Sequence, residues 1–500
     1  MPARPHPSQN VLGCDMLARG SRTVVSVGVP RPIRDRKPAP GRDDPFVMKA
    51  AATFGMLGAV AFGLPLLAAG LASPPLAAQE ASGRQEAPDL QTPGLQSIWS
   101  DLLGAADAPD ASVTLPADVD DPYDVVDEGW EPLKVGPFKV GGAFRINYIY
   151  KDWDDAYDWP GEFAFDTARV NVDLDEEASP IIGSFEYRYY QDKFADGHDY
   201  SMIHHAWLGR KLDDRQQVQA GVTKVPFGIL PYASHNWFFQ LPYYVGFEDD
   251  YDLGAKYIGD FAPWNFQAAY FPRDEGSYFG DSGDSARYSY DLVREGPNGN
   301  AERNQFNARL AYTLEPKEGF STEVGVSVMV GGIENDNPQG GSGTRHAVAA
   351  HLVGNYDRWN LMLQAIHYEY DVNNDPNRDA SPDGSFVVFG AYDASYYVAS
   401  KATIYTAGLA YTLPVDWHRV TSLTFYNDFS LMAKHEGGFQ DSLQNVVGFA
   451  VDAAPFYIYV DLAMGKYHPW LGGDWTTSLA SGGYEDDWHT RFNVNIGLYF

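Results

Sequence analysis

The chain has 500 residues, carries 36 Lys and Arg against 67 Asp and Glu for a formal net charge of −31, and is 14% aromatic. So acidic a balance argues against nucleic acid as a partner, because phosphate backbones are bound by Lys and Arg. The single cysteine, Cys14, excludes an internal disulfide framework and a thiolate metal site.

In chain order, residues 1–47 are rich in Arg and Pro and lack periodicity, so translation is expected to begin at Met48. Met48-Lys49 leads an apolar run over 50–71, and Pro74-Pro75-Leu76-Ala77-Ala78 then meets polar Gln79-Glu80. This is the layout of a signal peptide over 48–78, cleaved after Ala78; a retained membrane anchor is the competing reading, since the run is long. Residues 79–131, dominated by Ala, Pro and Asp, read as a polar linker with room for a short helix at 95–103. Residues 1–78 hold nine basic and four acidic residues, which leaves 27 basic against 63 acidic and a net of about −36 beyond them. No later stretch of about 18 apolar residues occurs, so no transmembrane helix is expected there.

From Pro137 the character changes. Short alternating runs dense in Tyr, Phe and Trp are separated by clusters of Gly, Asp, Asn and Pro. Sixteen such runs are expected at 137–151, 163–174, 181–192, 201–211, 216–225, 251–259, 264–272, 304–314, 320–331, 344–355, 359–370, 402–413, 419–430, 442–452, 456–465 and 488–500. Their even-numbered connections are short, such as 212–215, 260–263 and 356–358, while odd ones such as 226–250, 273–303, 371–401 and 466–487 are long. Tight turns at one end and large loops at the other are the asymmetry of an outer-membrane barrel. Residues 132–500 therefore predict an all-β fold, a transmembrane antiparallel β-barrel of about 16 strands, with residues 79–131 as its periplasmic linker.

The faces of the runs agree. Phe492, Val494, Ile496, Leu498 and Phe500 point one way, and Arg491, Asn493, Asn495, Gly497 and Tyr499 the other. Val324, Val326, Val328 and Val330 form another clean apolar face, and Phe306, Ala308, Leu310 and Tyr312 oppose Gln305, Asn307, Arg309 and Ala311. An apolar outside and a polar inside suit lipid and a watery lumen, and many Tyr and Trp near run ends suit aromatic girdles. The same alternation places Arg145, Arg169 and Arg188 on the inner face of three adjacent strands. They form either a basic stripe that attracts anions or braces paired with Glu186 and Asp173.

Two segments carry a family likeness. Val140-Gly-Gly-Ala-Phe-Arg-Ile-Asn-Tyr148 and Ala220-Gly-Val-Thr-Lys-Val-Pro-Phe-Gly228 resemble the phosphate-selective porin O and P family. The resemblance implies a sixteen-stranded homotrimer in the outer membrane of a Gram-negative bacterium. Its partners would be lipid, lipopolysaccharide, the barrel assembly machinery reading the terminal Phe500, and small hydrophilic solutes. Lys224 matches the lysine of the family's turn, and residues 226–250 become the loop that narrows the pore. The family's phosphate channels use lysines and an arginine ladder, yet this loop has no Lys or Arg. It offers Trp237, Phe238, Phe239, Tyr243 and Tyr244, which suit either stacking on solutes or packing within the barrel.

No nucleophile elbow, phosphate-binding glycine loop or zinc signature is present, so no catalytic residue, cofactor or metal is expected and the chain does not read as an enzyme. Asp152, Asp154 and Asp155, and Glu485, Asp486 and Asp487, offer oxygen ligands without EF-hand spacing. His204-His205 is not a metal pair, because strand neighbours face opposite sides. The expected function is passive diffusion of small hydrophilic solutes, anions such as phosphate among them, with Arg145, Arg169, Arg188, Lys224 and Arg309 along the pore. A sugar- or cation-preferring channel of the same fold, and a secreted soluble β-rich glycan-binding protein or hydrolase, are the alternatives.

Overall fold

Alternation becomes β-structure throughout the described part of the chain. The computed structural model describes residues 133–500 apart from 158, 176–178, 192–198, 297–298, 337–339, 378–380, 382–383 and 485. The expected start at Met48, the signal peptide 48–78, the linker 79–131 and Cys14 lie outside the described residues.

The strands are β1 (Leu133–Val135), β2 (Phe138–Lys151), β3 (Glu162–Asp175), β4 (Ile181–Gln191), β5 (Asp199–Asp213), β6 (Gln216–Lys224), β7 (Tyr251–Phe261), β8 (Trp264–Asp274), β9 (Asp291–Leu292) and β10 (Asn300–Lys317). They continue with β11 (Phe320–Asn335), β12 (Gly341–Tyr356), β13 (Trp359–Asn373), β14 (Phe386–Ala391), β15 (Ala394–Ala399), β16 (Lys401–Trp417), β17 (Val420–Lys434), β18 (Ser442–Ala453), β19 (Phe456–Lys466) and β20 (His489–Tyr499). Sixteen of them form the wall, each antiparallel to its neighbours, and β20 pairs with β2 to close it. β1 only folds back on β2, and β9, β14 and β15 make a separate three-stranded sheet. Closure satisfies the backbone polar groups without leaving an open edge, the condition for crossing lipid with strands.

All sixteen expected runs coincide with wall strands. Several ladders outrun them: β10 opens at Asn300, β11 runs to Asn335 and β16 to Trp417. Backbone pairing continues into water, where an apolar face is no longer needed, so apolar alternation marks the crossing and not the whole strand. β9, β14 and β15 went unforeseen because they lie in the long connections.

The wall's outside is apolar. Val326 and Val330 are 55% and 53% exposed, whereas Ser327 and Met329 between them are 2% and 1% exposed. At the tight-turn rim, aromatic pairs bridge strands: Trp264 with Tyr312 at 4.6 Å between centroids, and Trp359 with Tyr411 at 4.8 Å. Rings with one apolar and one wet edge belong at that depth. Six of the turns joining wall strands there have two residues, among them Glu318-Gly319, where Gly319 takes φ +73°, a conformation open to glycine without strain.

The seam is fastened by Phe500. Phe500 N donates to Gly142 O at 3.0 Å and Gly142 N to Phe500 O at 2.7 Å. A Cβ at Gly142 would lie 2.6 Å from Arg169 O and 2.9 Å from the Phe500 ring, so glycine is what lets the terminal residue dock. The Phe500 ring then stacks on Phe144 at 5.9 Å.

Candidate functional site

The loop between β6 and β7 folds inward. Its polar groups meet inner-face residues of the wall: Gly228 N donates to Ser327 Oγ at 3.0 Å, Ile229 N to Gln364 Oε1 at 2.8 Å, and Leu241 N to Ser430 Oγ at 3.2 Å. Gln444 Nε2 donates to Phe239 O at 3.0 Å. The firmest anchor is Asp428, which accepts from His235 N at 2.8 Å, Asn236 Nδ2 at 2.7 Å and the His235 ring at 2.7 Å. Burial would strip the His235 ring of its proton, but the Asp428 carboxylate outweighs it and raises the pKa. Inner-face polar residues thus act as sockets for a loop that is greasy where it faces its neighbours.

Other long connections join it. Tyr288, Tyr290, Leu292, Phe389, Tyr396 and Val398 are each at most 2% exposed and pack with the inward loop into an aromatic core. Phe239 stacks on Tyr243 at 4.0 Å, and Tyr396 donates its hydroxyl to Tyr244 O at 2.6 Å. Phe239, Tyr243 and Tyr244 pack into this core, and the same rings also border an open space.

That space is a cavity of about 220 Å³. Fourteen of its 24 lining residues are aromatic, among them the whole expected set Trp237, Phe238, Phe239, Tyr243 and Tyr244. The wall side contributes Arg145, Lys151, Arg188 and Arg491, with Asp166 and Asp249 as the lining acids.

The cations differ in how they are held. Arg145 pairs with Asp166 at 3.0 Å and Lys151 with Asp154 at 3.2 Å. Arg188 and Arg169 share Glu186, and the Arg188 guanidinium lies 4.6 Å from the Tyr288 ring centre. Bracing therefore describes Arg169, which is buried away from the cavity, while Arg145 and Arg188 brace and line at once. Glu186 serves as expected; Asp173 instead accepts from Ser184 Oγ at 2.6 Å.

Lys224 and Arg309 do not line the cavity. Lys224 pairs with Asp249 at 3.0 Å, and that ammonium holds the Asp249 carboxyl below its usual range against the opposing effect of burial. Arg309 donates to Gly228 O at 2.8 Å and pairs with Glu323, which secures the root of the loop. Glu248, beside Asp249, is pushed by burial up to about 8, although Ala233 N and Ser234 Oγ both donate to it.

Arg491 is the residue sequence reasoning passed over as a site. It was placed on the polar face of the last strand, but nothing local distinguished it from its neighbours. It is 5% exposed, donates to Asn493 Oδ1 at 2.9 Å and forms no salt bridge among the described residues. Its guanidinium lies 4.9 Å from the Phe238 ring centre and 5.5 Å from that of Trp237.

Residues able to hold a cation lie apart from the two acidic loop clusters. Asp154 is taken by Lys151, Asp486 by Lys466, and Asp152 by Thr490 N at 2.9 Å. Asp250, Asp252 and Asp291, all buried, place carboxylate oxygens within 4.8 Å of one another, a donor set of the kind hard divalent cations take. Asp291 is about forty residues from the other two, so spacing could not reveal the group. At His204-His205 strict alternation breaks: a bulge between β4 and β5 skips His204 in the register, and the two Nδ1 atoms approach to 2.7 Å.

No family model and no curated protein matches the chain. Among solved structures, an outer-membrane channel DcaP of Acinetobacter baumannii is 11% identical, with 74% of this chain and 100% of that one covered at a TM-score of 0.45. An anion-selective porin from Comamonas acidovorans is 13% identical over 73% and 99% at 0.44, and the trimer form of OmpT from Vibrio cholerae is 12% identical over 73% and 99% at 0.44.

Proposed function

We propose that the chain is a passive diffusion channel of the outer membrane of a Gram-negative bacterium, admitting small hydrophilic solutes and favouring anions. One observation carries the preference: among the charged residues that line the cavity, four are basic and two acidic. Fixed charge in a narrow aqueous path concentrates the opposite ion without holding it tightly. The wall supports the channel reading, because an apolar band outside and polar groups inside leave lipid and water their own faces. A soluble glycan-binding protein would have no use for that band.

Inorganic phosphate is the narrower reading suggested by the resemblance. Its support is the arginine pair Arg145 and Arg188; against it stands the inward loop, which supplies aromatic rings where that family supplies lysines. The same reading assigns lipid and lipopolysaccharide to the outer band, the assembly machinery to Phe500, and a homotrimer as the assembled state.

The test is the zero-current potential across a KCl gradient in a planar bilayer, followed by phosphate. Anion preference is the expected outcome, and phosphate block would establish the narrower reading. Cation preference would refute the anion assignment, and absence of conductance would refute the channel.

A further inference from the structure

We propose that the cavity at Arg491 binds single-ring monoanions, arenecarboxylates of the benzoate kind, with the carboxylate on the Arg491 guanidinium and the ring among Trp237, Phe238 and their aromatic neighbours. The assignment deepens the channel reading and rests on it for the solute's route, but not for the binding chemistry.

Three observations converge. The first is the charge left over at the cavity. Lys151, Arg145 and Arg188 each pair directly with a carboxylate, whereas among the described residues buried Arg491 makes no salt bridge: Asp166 and Asp461 attract it only at longer range, and its Nε has no hydrogen-bond partner. A buried cation needs a counter-charge, and a guanidinium takes a carboxylate through paired N–H donors. The second is the surface around it. Phe238 and Trp237 present ring faces to the guanidinium, and Tyr243 and Tyr244 continue the aromatic lining along the loop. Such walls reward a flat apolar body with stacking and desolvation.

The third is size. A cavity of about 220 Å³ exceeds the roughly 150 Å³ that admits one benzene ring. It takes one ring with one small charged group and leaves little space for a second ring. A neutral sugar would fill the space and leave Arg491 without a directly paired carboxylate. Inorganic phosphate would meet the charge, yet its remaining oxygens would be desolvated against aromatic carbon.

Titration calorimetry on the full chain in detergent decides the matter, with sodium benzoate, acetate and inorganic phosphate as probes. Benzoate is expected to bind at least about tenfold more tightly than acetate or phosphate, and Arg491→Gln to weaken it by about tenfold or more, as loss of a buried ionic partner does. Arg491→Lys should recover part of that loss. Trp237→Leu should weaken benzoate more than acetate, which keeps the question answerable if Arg491→Gln does not fold. Heat-modifiable mobility verifies folding of each variant. Benzoate binding no tighter than acetate, or unchanged in folded Arg491→Gln, would overturn the assignment. Binding without conductance in a bilayer would remove the channel reading and leave this one standing; conductance without benzoate preference would do the reverse.

Discussion

The wall and the loops inside it bury opposite kinds of surface. Along β11 the valines face outward and Ser327 faces in, so burial within the protein is polar and exposure is apolar. In the loops, Tyr290, Leu292 and Phe389 are buried and the rule of a soluble core returns. The two meet at polar sockets such as Asp428, which accept the backbone of one system on the side chains of the other. A barrel interior can therefore carry its own aromatic core without disturbing the alternation that fits the wall to lipid.

Excision of residues 229–247, bridged by a short Gly-Ser segment, would break the comparison most severely. The wall pairs strand to strand without that loop, so heat-modifiable mobility should persist while single-channel conductance rises several-fold; failure to fold would show that the wall depends on its filling. Next in size, Val328→Arg puts a charge in the middle of the apolar band and should cost about 2–4 kcal/mol in urea titrations of vesicle-inserted protein.

Asp428→Ala leaves the His235 and Asn236 donors buried without their acceptor. It should loosen the loop by about 2 kcal/mol, visible as larger open-state noise and faster proteolysis within residues 226–250, with wall stability unchanged. An effect of similar size, read in pH, concerns Glu248. Its carboxyl titrates at about 8 when folded against 4.5 otherwise, so the folded state holds the extra proton between those values. Stability should thus be greatest at low pH, fall as pH rises through that window and level off above it. Thermal midpoints at pH 5.5 and 8 should differ in the wild type and converge in Glu248→Gln.

Much of this was legible beforehand. Period-two alternation located all sixteen wall strands, because lipid outside and polar contacts inside impose that period on local sequence. It also placed Arg145, Arg169 and Arg188 on one inner face, since parity along adjacent strands needs no knowledge of the loops. Parity could not separate the three: Arg169 is spent on Glu186, whereas Arg188 turns to the cavity. The meeting of His204 with His205 was hidden for a related reason, as one bulge resets the parity on which the argument depends.

The family resemblance alone suggested which loop enters, whereas local pattern specifies the barrel, its sense of inside and outside, and the long and short ends. Each follows from interactions between a residue and its solvent, which local pattern records. What occupies the lumen is set by contacts between distant segments. The carboxylates of Asp250, Asp252 and Asp291 meet from separate segments, and Arg491 makes no direct salt bridge among the described residues because of what packs around it. Whether a buried charge finds a partner depends on distances between segments far apart in the chain, and periodicity carries no information about those.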